Sequence, residues 1–309
     1  VILAEKRCAW SLVIHGGAFV VDRSFMSDAE REGILHALNA ALREGGTILR
    51  KGGSSVDAVE AAIVILEDAP QFNAGKGSVF NAIGKNEVDA SIMDGNTLQS
   101  GAVAGAMSIR NPIQAARLVI EHSPHVYLQG AGADDFAAAE GVVPVSPEYF
   151  YTDRRWNQLQ EVQDGAKRSD DEKFGTVGAV ALDRSGNLAA GTSTGGLTKK
   201  CFGRVGDSSI IGAGTYAQND ACAVSGTGEG EYFIRLAVAK SICSRVVYGS
   251  LALHEAVDAT IAGDLTHLGG FGGVIAIDRN GTVVMRFNTK GMYRGSISSI
   301  ADPEVAIYE

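Results

Sequence analysis

Two stretches of this 309-residue chain restrict its fold more than any other feature. Thr176 to Asp183 and Leu188 to Thr192 are short runs of small and β-branched residues on either side of Arg184-Ser-Gly186-Asn187. Gly273 to Asp278 and Val283 to Asn288 repeat the pattern around Arg279-Asn280-Gly281. Such runs with Gly/Asn turns between them predict β-hairpins. Strands as continuously apolar as 274–277 must be covered on both faces. The expectation is therefore an α+β fold in which mainly antiparallel sheet packs on sheet, with helices outside.

The rest of the chain supplies those helices. Ser27-Asp-Ala-Glu30 is a capping box, and Ile34, Leu35, Leu38, Ala41 and Leu42 follow on one helical face. Gly45-Gly46 is expected to weaken or end that helix. Ser54 or Ser55 opens a second, nearly apolar from Ala58 to Leu66, which stops at Asp68-Ala-Pro70. Val88 to Met93 and Ala102 to Ile109 read as strands joined at Asp94-Gly-Asn. Pro112 to Glu121 and Asp134 to Glu140 read as helices, and Pro144 to Asp153 as irregular. Ile210 to Gly212 and Cys222 to Ser225 read as short strands, with helices near 231–243 and 252–262. Gly75 and Gly77 begin a GxGxxG pattern that is never completed and that follows a helix, not a strand.

Eight charged residues lie among the thirteen from Glu161 to Lys173. No Pro/Gly linker separates two cores, so 1–309 is expected to be one domain with this segment inside it. Charged loops inside compact domains are often functional or processed. The net charge is 27 − 36 = −9, which disfavours nucleic acid or an anionic membrane as partner. No apolar run approaches the ~18 residues of a membrane span. Val1 to Trp10 includes Glu5, Lys6 and Arg7 and is unlike a signal peptide. Cys8, Cys201, Cys222 and Cys243 have no metal-type spacing, and incidental reduced thiols in a cytoplasmic protein are expected.

The charged run gives way abruptly to a strand at Lys173-Phe174-Gly175-Thr176. Downstream come Gly191-Thr-Ser-Thr194-Gly-Gly, Gly203-Arg204-Val-Gly-Asp207-Ser, and Ser225-Gly-Thr227-Gly228-Glu229-Gly230-Glu231. Each alone is ordinary. Thr and Gly commonly enter a sheet, and Arg204 with Asp207 would be a solvated pair contributing ~0–1 kcal/mol. Together they describe a site. Consecutive N–H groups over Thr227-Gly-Glu-Gly230 suit an anion or oxyanion. Arg204 offers a planar fork for a carboxylate, and Asp207 can hold an ammonium.

These motifs resemble the plant-type asparaginases, also called isoaspartyl aminopeptidases. The likeness extends to His15-Gly-Gly-Ala, Phe-Asn73-Ala-Gly, Ala-Ser-Ile-Met-Asp94-Gly-Asn, Arg-Asn-Pro112, Ser-Pro-His125 and Phe-Asn288-Thr-Lys-Gly-Met-Tyr-Arg. The resemblance implies a four-layer αββα sandwich of the N-terminal-nucleophile hydrolases. It implies self-cleavage between Gly175 and Thr176 into residues 1–175 and 176–309, with 160–175 as a flexible linker. Thr176 is then similar to the nucleophile, and its freed α-amine to the base. That amine has an unperturbed pKa of ~7.7–8.0, whereas an amide nitrogen cannot accept a proton.

The same resemblance makes Thr194 the supporting hydroxyl, Thr227 and Gly228 the oxyanion hole, and Asn73 a residue near the scissile group. Arg204 with the Gly230 backbone resembles the α-carboxylate clamp, and Asp207 with the Gly228 carbonyl the ammonium clamp. The backbone carbonyls of Leu66, Glu67, Ala69, Phe72, Ala74 and Lys76 look like ligands of a structural sodium ion. No cofactor is implied for catalysis. The implied substrates are asparagine and isoaspartyl dipeptides, and the implied assembly is an (αβ)2 dimer of cleaved protomers. Lys199 stands where the family has Asn, Gly226 where Cys is frequent, and the charged linker is shorter than in some relatives. Gly175 speaks against glycosylasparaginases and taspase-like proteases, which carry Asp there. The competing readings are a glycosylasparaginase-like amidase, a non-catalytic nucleotide-binding protein, and an inert copy of the fold.

Overall fold

The computed structural model describes residues 8–18, 26–165 and 175–308. Strand β1 (Ser11–Gly17) comes first. Helix α1 (Asp28–Arg50) follows, with Ser27 Oγ accepting from the Glu30 N–H at 3.2 Å. It runs through Gly45-Gly46 where a break was expected. A Cβ at Gly45 would lie 2.6 Å from Leu12 Cδ2 and 2.7 Å from the Ala58 carbonyl, so the glycine permits α1 to touch both β1 and the next helix. That helix, α2 (Ser55–Asp68), starts at an N-cap on Ser54. Strands β2 (Val88–Asp94) and β3 (Ser100–Ala106) form the expected hairpin, and α3 (Pro112–His122), β4 (Tyr127–Gln129) and α4 (Gly130–Ala139) follow.

Helix α5 (Asp153–Gln163) was not expected. It is capped by Thr152, buries Arg155 and Leu159, and takes up the first residues of the charged run. Of the linker predicted over 160–175, residues 160–163 are helical, and 166–174, with Lys173 and Phe174, lie outside the described residues. Strands β5 (Val177–Leu182) and β6 (Leu188–Thr194) are the first predicted hairpin. In place of a strand at Ile210–Gly212, β7 (Thr215–Ala217) pairs with β8 (Cys222–Gly228). The helix expected over 231–243 is two, α6 (Gly230–Leu236) and α7 (Val238–Val247), separated by Ala237 at φ 47°. Helix α8 (Leu253–Asp258) continues into a π-helical turn over 259–265. The second predicted hairpin is β9 (Gly272–Asp278) and β10 (Val283–Phe287), and β11 (Gly291–Ser298) and β12 (Glu304–Tyr308) end the fold.

The strands form an eight-stranded sheet, order β12-β11-β1-β5-β6-β2-β3-β4, and a four-stranded sheet, order β10-β9-β8-β7. Every neighbouring pair is antiparallel except β3–β4. Alternation along the strands separates three cores. Leu12, Ile14, Val177 and Ala179 face α1 and α2; Val13, Val180, Leu188, Ala190, Ala223 and Ile275 fill the space between the sheets; Val224, Val274 and Ala276 face α7 and α8. Central strands covered on both faces explain their lack of an exposed polar stripe. The cysteines correct one expectation: Cys222 on β8 and Cys243 on α7 are disulfide-bonded, leaving Cys8 and Cys201 free.

Candidate active site

Thr176 immediately precedes β5 and is buried. It shares a side of the strand with Gly178 and Val180, facing the gap between the sheets. Its Oγ1 donates to Thr194 Oγ1 at 3.1 Å. Thr194 Oγ1 also accepts from the Gly196 N–H at 3.0 Å and donates to the Gly175 carbonyl at 3.0 Å. Asn73 Nδ2 donates to the same carbonyl at 3.0 Å and to the Gly196 carbonyl at 2.7 Å, while its Oδ1 accepts from the Val79 N–H at 3.0 Å. The carbonyl between Gly175 and Thr176 therefore has two fixed donors, an arrangement suited to developing negative charge. A Cβ on residue 175 would lie 3.0 Å from Asn73 Cβ, so glycine fits this contact and a larger residue would press on it.

The end of β1 closes another side. Gly17 has φ 117°, and a Cβ there would lie 3.3 Å from Gly175 Cα and 3.6 Å from the Thr176 nitrogen. The next N–H, on Ala18, donates to Thr227 Oγ1 at 3.4 Å, bringing the end of β8 to the same edge. Thr227 and Gly228 finish that strand, with Gly228 paired to Gly272. The Glu229 N–H donates to the Phe271 carbonyl at 3.0 Å. The expected row of consecutive N–H groups over Thr227–Gly230 is thus interrupted, because the strand extends three residues further than the sequence indicated.

Arg204, Asp207 and Gly230 meet beside this edge. A Cβ at Gly230 would lie 2.8 Å from Asp207 Oδ1 and 2.9 Å from Arg204 Nη2, and one at Gly214 would lie 2.8 Å from Asp207 Oδ2. Asp207 is buried, and its Oδ2 has no hydrogen-bond partner among the described residues. Burial pushes its carboxyl up to about 7, against the pull of its own backbone N–H and of Arg204. Sequence reasoning missed the partner of Arg204. Its Nε and Nη2 donate to Glu231 Oε1 and Oε2 at 2.9 and 3.0 Å. The only signal was a second acid directly after Gly230.

Behind the clamp, Lys200 Nζ lies 3.4 Å from Glu87 Oε2 and 3.9 Å from Asp89 Oδ2, with the Lys200 and Asp89 side chains both 1% exposed. Lys199 has φ 63°, a conformation Asn adopts more readily, and its Nζ donates to the Val162 carbonyl near the end of α5 at 3.4 Å.

The end of α2 and the loop after it present the backbone carbonyls that the implied cation would need. Leu66, Ala69 and Ala74 carbonyls accept from Ala69, Phe72 and Gly77 N–H groups at 3.3, 3.2 and 3.2 Å. No hydrogen bond from a described residue ends on the carbonyls of Glu67, Phe72 or Lys76. Several unengaged carbonyls in one tight loop fit a hard cation that prefers oxygen. The Glu67 side chain is turned elsewhere: its Oε1 accepts from Ser193 Oγ at 2.6 Å and the Ile113 N–H at 3.0 Å. Burial pushes that carboxyl up to about 8, against those two donors.

Two packed sheets between helical layers carry threonine hydroxyls at their strand ends, with a buried carboxylate and a guanidinium near the same edge, and similarity to known proteins makes the class an amidohydrolase. The family described as Asparaginase matches residues 8–307. An isoaspartyl peptidase of Escherichia coli (strain K12) is 48% identical over 306 residues, covering 96% of this chain and 95% of that protein. An isoaspartyl peptidase/L-asparaginase of Homo sapiens is 44% identical over 284 residues, covering 91% of each. A probable isoaspartyl peptidase/L-asparaginase of Arabidopsis thaliana is 41% identical over 327 aligned positions, covering 97% of this chain and 99% of that protein. The chain belongs to the asparaginase family.

Proposed function

We propose that this chain hydrolyses the side-chain amide of L-asparagine and the β-linkage of N-terminal isoaspartyl dipeptides, releasing L-aspartate, after cutting itself between Gly175 and Thr176. The observation that carries this reading is the hydrogen-bonded sequence from Thr176 Oγ1 through Thr194 Oγ1 to the Gly175 carbonyl. In the intact chain, Thr176 Oγ1 attacks the Gly175 carbonyl carbon and passes its proton to Thr194 Oγ1. Thr194 gives its own proton to the carbonyl oxygen, which Asn73 Nδ2 also holds. The C–N bond then breaks, with a proton returned to the Thr176 nitrogen, and an ester remains on Oγ1. Water hydrolyses that ester to a Gly175 carboxylate and a free Thr176.

The new α-amine now accepts the Oγ1 proton, which the amide could not do. Substrate enters with its α-ammonium on Asp207 and its α-carboxylate on Arg204. The unpartnered Oδ2 of Asp207 supports this pairing, since a buried carboxylate with a vacant acceptor is costly unless a cation completes it. Attack at the β-carbonyl gives a tetrahedral intermediate whose oxygen lies between Thr227 and Gly228. Its collapse expels ammonia or an amino acid, and water releases aspartate. Ordinary peptides use up the α-carboxylate or the α-amine in the backbone and do not fit both clamps. A sodium ion on the carbonyls of Leu66, Glu67, Ala69, Phe72, Ala74 and Lys76 would stiffen the loop that carries Asn73. The test compares β-Asp-Leu with α-Asp-Leu on processed protein. Selective hydrolysis of the β-linked dipeptide is expected, and equal hydrolysis of the two refutes the reading.

A further inference from the structure

His15 is a buried titratable group that the reaction above leaves without a task. Its position follows from strand register. His15 on β1 is opposite Gly178 on β5, Gly178 is opposite Thr192 on β6, and Thr192 is opposite Ser91 on β2. These four form one row across the large sheet. Each of the last three strands carries its next same-side residue at Thr176, Thr194 or Asp89, so the row lies one step behind the site. Facing it on the small sheet are Ser225 and Thr215, themselves a cross-strand pair. Gly178 makes room for the meeting, because a Cβ there would collide with Ser225 Oγ and His15 Nε2.

Hydrogen bonds run through this row from end to end. His15 Nδ1 is 3.0 Å from the Thr176 carbonyl, and Nε2 is 3.0 Å from Ser225 Oγ. Ser225 Oγ is 2.7 Å from Thr192 Oγ1, which is 2.6 Å from Thr215 Oγ1. Ser91 Oγ is 2.9 Å from Thr215 Oγ1 and 2.6 Å from the Ser208 carbonyl, next to Asp207. A carbonyl only accepts, so the proton of a neutral His15 is on Nδ1. Nε2 must then accept from Ser225. Ser225 Oγ then gives its one proton to Nε2, and Thr192 Oγ1, which also lies 3.1 Å from the Gly214 carbonyl, accepts from Thr215. The Thr176 carbonyl thus fixes the tautomer of His15 and the direction of the Ser225 hydroxyl. Burial holds the imidazole down at about 3, against the contact with the Thr176 carbonyl, so it stays neutral at working pH.

We infer that His15 is a positioning residue for Thr176: in its neutral Nδ1–H tautomer it fixes the Thr176 carbonyl, with Ser225 Oγ donating to its Nε2. The inference rests on Thr176 being the nucleophile. Cleavage removes the peptide bond on the amino side of Thr176, and the row then supplies a fixed hold on its carboxyl side. The other tautomer would set an Nδ1 lone pair against the carbonyl oxygen and turn the hydroxyl and amine away.

The test begins without substitution. The ¹⁵N spectrum of histidine-labelled protein, processed and as the uncut Thr176→Ala chain, should show His15 protonated at Nδ1 and unprotonated at Nε2. A His15 protonated at Nε2 overturns the inference. Kinetics give a second readout. His15→Asn keeps an amide donor near the Nδ1 position, whereas His15→Gln places its amide near Nε2. His15→Asn should retain most of kcat. His15→Gln should lose about 10²-fold in kcat, the cost of a misplacement of about 1 Å, with KM within about twofold. Equal kcat in the two folded variants also overturns it. Should neither fold, the spectrum of the unsubstituted protein decides alone. Because that spectrum needs no activity, failure of the nucleophile assignment and failure of this inference are separable.

Discussion

Asn73→Ala isolates one donor on the scissile carbonyl. The side chain makes three hydrogen bonds, to the Gly175 carbonyl at 3.0 Å, to the Gly196 carbonyl at 2.7 Å and from the Val79 N–H at 3.0 Å. Loss of one oxyanion donor typically lowers a rate by about 10²–10³, or about 2.7–4 kcal/mol. Thr194 Oγ1 still holds the carbonyl, so cleavage should slow by that factor and not cease. The buried Val79 N–H and Gly196 carbonyl lose a partner, at about 1–3 kcal/mol each. A total of about 2–6 kcal/mol against a domain stability of about 5–15 kcal/mol leaves a folded but less stable chain. The assay is the time course by which the 32.2 kDa chain becomes pieces of about 18 and about 14 kDa, scaled by length over 175 and 134 residues, with thermal melting of the uncut fraction alongside. Asn73→Asp is the control. It can keep the acceptor for Val79 while removing the amide donor, and should be at least as slow. A folded Asn73→Ala chain that cuts within threefold of the natural rate refutes the role given to this side chain.

Other outcomes follow from the same geometry. Thr176→Ala should remain one uncut chain, cut protein should sediment as (αβ)2, and cleavage of the alanine chain at the same bond removes Thr176 from the mechanism. Asp207, raised to about 7 by burial, is neutral below that pH and cannot hold an ammonium. kcat/KM on β-Asp-Leu should therefore fall about tenfold per unit from Asp207 as pH drops below about 7, in addition to the loss from the Thr176 amine. Asp207→Asn should lose one unit of slope, and an unchanged slope sinks the ammonium clamp. Replacing sodium by a bulky organic cation should lower the melting temperature, with recovery that grows with the logarithm of sodium concentration; no shift excludes the cation site. Reducing Cys222–Cys243, 21 residues apart, should cost about 3 kcal/mol by the loop-entropy relation, and denaturant midpoints identical with and without reductant contradict the bond.

The hairpins β5–β6 and β9–β10 were legible because their signals are local: apolar runs and Gly/Asn turns within a dozen residues. Elements set by distant partners were not. The three-residue β7 takes its place from pairing with β8, and α6 and α7 are separated by a left-handed Ala237 that propensity does not announce. Gly45-Gly46 read as a stop because the sequence does not show Leu12 and Ala58 packed against it. Thr176, Thr194, Arg204 and Asp207 were singled out through motifs in a fixed order. The grip of Glu231 on Arg204 was not, since its geometry depends on how α6 meets the loop before it. The His15 row left no distinct trace, because Ser91, Thr192 and Ser225 each share a strand side with another polar residue, Asp89, Thr194 and Thr227. Cys222 and Cys243 carried no pairing signal, because their proximity arises from β8 lying against α7.

The place of β5 in the sheet has a consequence for timing. Its neighbour β1 comes far earlier in the chain, and β1 is held on its other edge by β11, which comes far later. Thr227 and Ser225 arrive on β8, about fifty residues after Thr176 leaves the ribosome. A hydroxyl that depends on all of these neighbours cannot be armed on a growing chain. Under the proposed mechanism, self-cleavage would report folding: only a chain that has made β8 and β11 and closed its sheets would acquire the Thr176 amine, and a chain stopped before β8 would carry no unguarded nucleophile.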